Sequence, residues 1–345
     1  MPALHTLWQR SLQLIALSAL VLVAALHPVR ADDKVAVGVL RYVSSGGLFL
    51  AAERGYFKAE GIDIEMKFFD AAQPIAVAVV SGDTQFGVTA LTAGFYNLAG
   101  KGALKIIGAQ AKEAKGFEGN AILASIIAYK KGFTDISKFP GHSLGITQAG
   151  SSFHYQIGQI AKAKGFELKS VDIKPLQSLP NMVAALSSGQ VDSIIIAPHL
   201  AKPLIASGSA HLLGWYSDID EYQFGALFTG TKTDTGNKPL VERFVRAYQK
   251  GMADYADAFL RRGADGKLLR DGKTDDAAKT IAKQVYPGEA EATAVPKVIE
   301  SVFAVDPKAK LDVEDIVRQV QWMKEQNLVE PAVDARAIVD LSFVQ

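Results

Sequence analysis

The same order of structural signals occurs twice along this chain, at 55–82 and again at 165–189. Each copy has a glycine followed by an aromatic residue, a short strand, a proline at the start of a helix and a glycine after that helix. A proline costs little in a first helical turn because an N–H there would lack an intrahelical partner. Alternating strands and helices predict mostly parallel sheets covered on both faces. The repetition predicts two α/β lobes, with chance similarity of two βαβ units as the alternative.

The first lobe is expected to be discontinuous. The apolar stretch Ala121–Tyr129 is predicted to be a strand that crosses to the second lobe, and 222–229 is predicted to be the return crossing. From residue 238 onward, apolar side chains recur at helical spacing. The predicted fold class is α/β with two lobes, mostly parallel sheets flanked by helices, and two crossing strands as a hinge. The predicted boundaries are 1–31 for a signal peptide, 32–110 and 225–345 for lobe 1, and 111–224 for lobe 2.

Residues 1–31 have the pattern of a secretory signal peptide. Arg10 ends a short polar region, Ser11–Leu26 is apolar, and small residues precede Asp32, so cleavage is expected after Ala31. The apolar run is short for a membrane span, and a membrane anchor is the alternative. The sequence has no cysteine, which excludes a disulfide or a lipid on a cleavage-site cysteine. These features predict an exported protein of the bacterial periplasm.

The charge of the remaining chain is close to zero. Removing Arg10 and Arg30 from the 37 basic residues leaves 35 against 36 acidic residues, a formal net charge of −1. This balance gives no electrostatic reason to bind nucleic acid or an anionic membrane. Nothing in the sequence requires more than a monomer.

Four sheet edges are candidates for a ligand site, because ligands of open α/β sheets bind beyond the carboxyl ends of the strands. Three of the edges place hydroxyl groups at a predicted helix start, where unpaired N–H groups attract anions and polar groups. The expected ligand-binding residues are, edge by edge, Tyr42, Ser44, Ser45 and Gly46; Thr89, Ala90 and Thr92; Ser151, Ser152, Phe153 and His154; and Pro198 and His199; Trp215, Tyr216 and Asp218 are expected to form a side wall.

The third edge is the most informative. A short strand ends at Ile146, and a helix is predicted to open at Ser151-Ser152. The alternative interpretation is an ordinary serine N-cap. His154 lies in the first turn of this helix. If it faces the cleft, binding of an anion is expected to strengthen at lower pH; the alternative is a histidine that lies on the surface or bonds to the backbone.

The sequence contains no signature of catalysis or of cofactor binding. It has no G-x-S-x-G elbow, no H-E-x-x-H zinc motif, no Walker A loop and no G-x-G-x-x-G after the first strand. Serine and histidine residues occur near the predicted edges, but no acid partner is fixed by spacing. We therefore expect no enzymatic activity, no cofactor and no metal.

Four motifs resemble the nitrate/sulfonate/taurine class of periplasmic substrate-binding proteins. They occur in order at 55–64, 81–88, 150–155 and 186–192, and the likeness extends over roughly 35–225. The resemblance implies a type II-like periplasmic-binding-protein fold that closes on a small ligand. It also implies delivery of that ligand to the permease of an ABC importer in the inner membrane.

Two segments, Arg41–Val43 and Ala197–His199, differ from those of nitrate and taurine binders, so the resemblance leaves the solute open. A related branch builds the thiamine pyrimidine enzymatically with a cysteine-rich motif, which this chain lacks. The expected solute is small and anionic or polar, of the sulfonate, taurine or nitrate type. The alternatives are a binder of a pyrimidine or aromatic carboxylate precursor, a periplasmic enzyme, or a ligand sensor.

Overall fold

The computed structural model describes residues 32–344. The signal peptide predicted at 1–31 lies outside these residues. Within the described part of the chain, no helix combines the length and the apolar character needed to cross a membrane.

The secondary structure alternates strands and helices along most of the chain. The strands are β1 (Asp33–Leu40), β2 (Ile62–Phe69), β3 (Phe86–Ala90), β4 (Leu104–Ala109), β5 (Lys112–Glu113), β6 (Ala121–Ser125), β7 (Ser143–Ile146), β8 (Asp172–Pro175), β9 (Ser193–Ile196), β10 (Ala210–Trp215), β11 (Tyr222–Gln223) and β12 (Gly225–Gly230). The α-helices are α1 (Gly46–Glu53), α2 (Tyr56–Ala59), α3 (Ala72–Ser81), α4 (Ala93–Gly100), α5 (Ile126–Lys130), α6 (Ser152–Lys164), α7 (Leu179–Ser188), α8 (Pro198–Ala206), α9 (Thr231–Gly236), α10 (Lys238–Phe259), α11 (Gly272–Val285), α12 (Glu291–Ile299) and α13 (Val313–Glu325).

Two five-stranded sheets form the framework, in the orders β2-β1-β3-β12-β4 and β10-β6-β9-β7-β8. In the first sheet, β1 and β3 are parallel, and β12 is antiparallel to β3 and β4. In the second, β7 is parallel to β8 and β9, and β6 is antiparallel to β9 and β10. The predicted α/β fold class is confirmed. Both sheets are mixed because the first strand after each crossing, β6 or β12, runs against its neighbours.

The crossing itself differs from the prediction. The expected strand Ala121–Tyr129 is wrong beyond Ser125, whose hydroxyl accepts the N–H of Ala128 at 3.1 Å and so begins α5. β6 lies wholly within the second sheet. The segments between the sheets instead pair through β5 and β11, which form a two-stranded antiparallel ribbon. The lobe boundaries given above remain a prediction.

Helix α10 packs on the first sheet and fixes the position of α1. Phe244 stacks on Phe86 with ring centroids 3.8 Å apart, and the Tyr248 hydroxyl donates to the carbonyl of Ala109 at 3.2 Å. A Cβ on Gly251 would overlap the carbonyl oxygen of Gly47 in α1. The close approach of the two helices therefore requires glycine and holds the start of α1 in place.

A buried carboxyl group lies in the β5–β11 ribbon. Glu113 has 0% exposure and accepts the backbone N–H of Asn120 at 3.0 and 3.2 Å and the side-chain amide of Gln156 at 3.1 Å. Burial raises the pKa of Glu113 to about 8, although these hydrogen bonds oppose the shift. The ribbon between the sheets therefore holds a carboxyl group that is mostly neutral at pH 7.

We expect Glu113 to make the protein less stable as the pH rises. In the unfolded chain a glutamate ionises near pH 4.3, whereas the folded protein keeps Glu113 protonated up to about pH 8. The contribution of this group to stability is complete below pH 4 and is lost between about pH 4 and pH 8. The loss is on the order of 3–5 kcal/mol.

The measurement is the free energy of unfolding by denaturant at pH 5 and pH 8, for the native chain and for Glu113→Gln. The substitution should reduce the fall in stability between the two pH values. Glu167→Gln, at an exposed position, is the control and should leave the fall unchanged. Equal falls for the native chain and Glu113→Gln would contradict the assignment.

Candidate functional site

A cavity lies beyond the carboxyl ends of β1, β3 and β7, between the two sheets. Its volume is about 40 Å³. Among the described residues that line it, none carries a formal charge. The lining residues are Leu40, Tyr42, Ser44, Ser45, Ala71, Ala72, Thr89, Ala90, Thr92, Gln110, Asn120, Thr147, Ser151, Ser152, Phe153, Leu179, Phe224 and Phe303.

The structure brings most of the residues expected at the first three edges together at this cavity. Those that line it are Tyr42, Ser44, Ser45, Thr89, Ala90, Thr92, Ser151, Ser152 and Phe153. Seven other expected residues do not line it: Gly46, His154, Pro198, His199, Trp215, Tyr216 and Asp218.

The seven outlying residues have identifiable surroundings. Gly46 faces α10 and α11, because a Cβ there would meet Tyr255 and Ile281. Trp215 ends the edge strand β10 and lies 5.9 Å from the ammonium of Lys202. Pro198 is buried at the start of α8, and His199 lies in a neighbouring groove. After β10, Tyr216 is buried and Asp218 is exposed.

His154 points away from the cavity. Its Nδ1 accepts the N–H of Gly150 at 3.0 Å, and its ring packs edge-on against Trp322 with centroids 5.6 Å apart. Burial lowers the pKa of His154. Its role is therefore to hold the turn before α6, which corresponds to the backbone-bonded alternative.

Several lining residues were missed by the sequence analysis. Ala71-Ala72, Thr147 and Leu179 also follow strands and precede or open helices, so the rule of strand ends applies to them. Gln110 and Asn120 come from the segments beside the ribbon, and no motif marks them. Phe303 follows α12 and reaches the site only through the tertiary fold, so local sequence gives no signal for it.

Two helix starts supply hydrogen-bond donors to the cavity. The Ser151 hydroxyl accepts the N–H of His154 at 3.3 Å and caps α6, which confirms the helix predicted to open here. The Thr92 hydroxyl accepts the N–H of Phe95 at 3.0 Å and caps α4. First-turn N–H groups such as that of Phe153 have no acceptor within their own helix. Two helix N-termini therefore direct partial positive charge to the same space.

Three buried polar atoms of lining residues have no hydrogen-bond partner among the described residues. They are the Tyr42 hydroxyl, the Thr89 hydroxyl and Oε1 of Gln110. The Gln110 amide nitrogen is engaged, since it donates to the Ser44 carbonyl at 3.3 Å and to the Ser45 hydroxyl at 3.2 Å. A buried polar atom without a partner costs about 1–3 kcal/mol, so the cavity is suited to a ligand that hydrogen-bonds.

The two sides of the cavity touch directly. The N–H of Ala93 donates to the carbonyl of Gly150 at 2.8 Å, and the N–H of Leu179 donates to the carbonyl of Asp70 at 3.2 Å. Gly150 has a φ of +74°, and a Cβ on it would overlap the Cβ of Ala93. Glycine is therefore required here both by the backbone conformation and by the close approach.

The site offers no metal-binding set. Within residues 32–344, no three His, Asp or Glu side chains lie close enough together to hold a metal ion. The donors and acceptors that line the cavity are hydroxyls, amides and backbone groups. Their chemistry is that of hydrogen bonding to a small molecule.

Comparisons with known proteins give a family for this chain and solved structures with the same fold. A family profile described as "NMT1/THI5 like" matches residues 43–258. A search of curated protein sequences found no match.

Solved structures share the fold across nearly the whole chain. The alkanesulfonate-binding protein SsuA from Xanthomonas axonopodis pv. citri, bound to MOPS, is 18% identical with a TM-score of 0.70, over 90% of this chain and 99% of that chain. The periplasmic aliphatic sulphonate binding protein SsuA from Escherichia coli is 17% identical with a TM-score of 0.66, over 90% and 92%. The desulfurization enzyme DSZB is 14% identical with a TM-score of 0.60, over 91% and 98%.

The contact between Gly150 and Ala93 provides a test of closure. Gly150→Ala should carry the strain of an alanine at positive φ, on the order of 1 kcal/mol, and in addition a clash with the Cβ of Ala93 that moving the two sides of the cavity apart would relieve. Small-angle X-ray scattering should therefore show a larger radius of gyration for Gly150→Ala than for the native chain.

Gly165→Ala is the matched control. Gly165 also has positive φ, +72°, but a Cβ there meets nothing within 4 Å. This variant should lose similar stability and scatter like the native chain. Identical scattering of the two alanine variants would show that the Gly150 contact does not govern closure.

Proposed function

This chain belongs to the NMT1/THI5-like family, and from that membership and the cavity we propose that it is the solute-binding component of an ABC importer. It has the fold of periplasmic solute-binding proteins. The proposed ligand is a small anionic or polar organic solute of the sulfonate type, held between the two sheets and delivered to a permease. The proposed location is the periplasm, and the proposed state is a monomer.

The observation that carries this proposal is the uncharged, donor-rich lining of the cavity. The Ser44, Ser45 and Ser152 hydroxyls line it together with the N-termini of α4 and α6. An anion in this position would be stabilised by helix dipoles and by charge-assisted hydrogen bonds from N–H and hydroxyl groups. Several such donors can hold a sulfonate without a neighbouring cation.

Ligand capture follows from the position of these groups on both sides of the cleft. Thr89 lies in β3 of the first sheet and Thr92 follows that strand, whereas Ser151 and Ser152 follow β7 of the second sheet. A solute that bonds to both sets stabilises the closed arrangement more than an open one, which shifts the population toward closure. The β5–β11 ribbon is the proposed hinge.

A second candidate is supported by the aromatic part of the lining. Phe153, Phe224 and Phe303 give the cavity three phenyl rings, which suit a flat ring such as a pyrimidine or an aromatic carboxylate. An enzymatic role on this fold, of which DSZB is an example, has less support. The described lining provides no histidine, carboxylate or lysine to activate a nucleophile.

The proposal is tested by thermal unfolding and calorimetry with sulfonates, taurine, nitrate, carboxylates and pyrimidines. We expect one class to raise the melting temperature of the protein, by an amount that grows with the logarithm of ligand concentration over the dissociation constant. Absence of stabilisation by any class would overturn the proposal. Product formation from a stabilising compound would favour an enzyme instead.

The contribution of α6 to binding is tested with Ser151→Ala. Loss of a hydrogen bond to a charged group should weaken the affinity for the stabilising solute by about 1.5–3 kcal/mol, roughly tenfold to a hundredfold. The dissociation constant is measured by calorimetry.

Ser125→Ala is the control, because Ser125 caps α5 in the same way but does not line the cavity. Both variants should lose about 1 kcal/mol of folding stability with the cap. Only Ser151→Ala should lose affinity. An equal affinity in both would show that the Ser151 hydroxyl does not bind the solute.

A further inference from the structure

A groove adjoins the cavity and shares part of its wall. Leu40, Tyr42 and Leu179 line both spaces. The volume of the groove is about 420 Å³, so it is larger than the cavity. A molecule that occupies the cavity and extends past Tyr42 would enter it.

The groove is largely apolar. Phe68 and Phe69 lie on the side of the first sheet, and Val183 and Leu200 on the side of the second. All four side chains are half-buried, so they retain apolar surface that a hydrocarbon chain can cover. Two charged residues, Arg41 and Asp70, also line the groove. Arg41 stacks on Phe68 at 3.6 Å and donates to the carbonyl of Gln284 at 2.8 Å, and Asp70 is exposed.

A polar side chain marks the junction between the cavity and the groove. His199 is only 2% exposed, lines the groove, and packs edge-on against Tyr42 with ring centroids 4.4 Å apart. Neither of its ring nitrogens has a hydrogen-bond partner among residues 32–344. The tyrosine hydroxyl lacks one as well.

The protonation state of His199 defines what it can bind. Burial lowers its pKa to about 3, so the imidazole is neutral and offers one N–H donor and one acceptor nitrogen. A ligand group that both donates and accepts would satisfy it, and an amide or a hydroxyl meets this requirement. An unbranched hydrocarbon at this point would leave both nitrogens unpaired.

We propose that the groove binds the tail of the same solute and is a tail subsite; this proposal rests on the proposed function. The ligand class is an amphipathic molecule with a polar head in the cavity, an amide or hydroxyl group beside His199 and Tyr42, and an aliphatic or aromatic tail between Phe69 and Val183. His199 thus selects tailed solutes that carry a polar link over plain alkyl ones.

N-acyltaurines combine these parts, since they join a sulfonate head, an amide and an acyl chain. Calorimetry with acyl chains of two to ten carbons should give an affinity that rises about three- to fourfold per methylene until the groove is filled. Val183→Asp places a charge in the groove and should abolish this dependence while the shortest member still binds. Val77→Asp, at a position 52% exposed outside both spaces, should retain it.

The role of His199 is tested by comparing each N-acyltaurine with an alkanesulfonate of equal chain length. His199→Phe keeps a ring beside Tyr42 and removes both nitrogens. It should weaken the N-acyltaurine about tenfold and leave the alkanesulfonate unchanged or tighter. His199→Gln keeps a donor and an acceptor and should retain most of the preference for the amide.

The outcomes separate the two proposals. Binding of the shortest sulfonates without any dependence on chain length, or equal behaviour of Val183→Asp and Val77→Asp, would overturn the tail subsite and leave the solute-binding function in place. A chain-length dependence without a preference for the amide would overturn the role of His199. Absence of binding by either series would overturn the sulfonate-binding function and the tail subsite together.

Discussion

The N–H groups in the first turn of a helix cannot be satisfied within that helix, and this constraint shapes the site. Helices α4 and α6 begin on facing edges of the two sheets. Their cap residues, Thr92 and Ser151, satisfy one N–H each. The N–H of Ala93 donates across the cleft to the carbonyl of Gly150 at 2.8 Å. The same orphaned groups therefore join the two sides of the protein and provide donors to a ligand between them.

The uncharged lining of the cavity suits the proposed closure of the cleft. Closing the cleft removes water from its lining, and an ion buried there would carry a desolvation cost of several kcal/mol. The lining uses hydroxyls, amides and backbone dipoles instead. Glu113, bonded to the backbone of Asn120 directly behind the cavity, is also mostly neutral at pH 7, since burial raises its pKa to about 8. The charge brought in by a solute would be the dominant charge of the closed site.

The sequence could predict the parts of this structure that depend on local signals. The strand over Ile62–Phe69 and the helix start at Ser151-Ser152 follow from alternation and capping, and the strand-end rule located nine residues of the cavity. The rule does not say which edges meet, so His199 was assigned to the cavity although it lies in the groove. Ser125 ended a strand that apolar composition alone extended to Tyr129. Phe303 arrives through packing of the C-terminal segment, which no local pattern encodes.

The unpartnered polar atoms explain why a ligand would control closure. Tyr42, Thr89 and Gln110 each bring one such atom into the closed interior, at about 1–3 kcal/mol per atom. In an open cleft, water would satisfy these atoms at no such cost. The sum is comparable with the roughly 5.5 kcal/mol that moves a two-state equilibrium from 1:99 to 99:1. A solute that supplies the missing partners removes this cost only in the closed state, so its differential affinity for the two states arises from the lining itself.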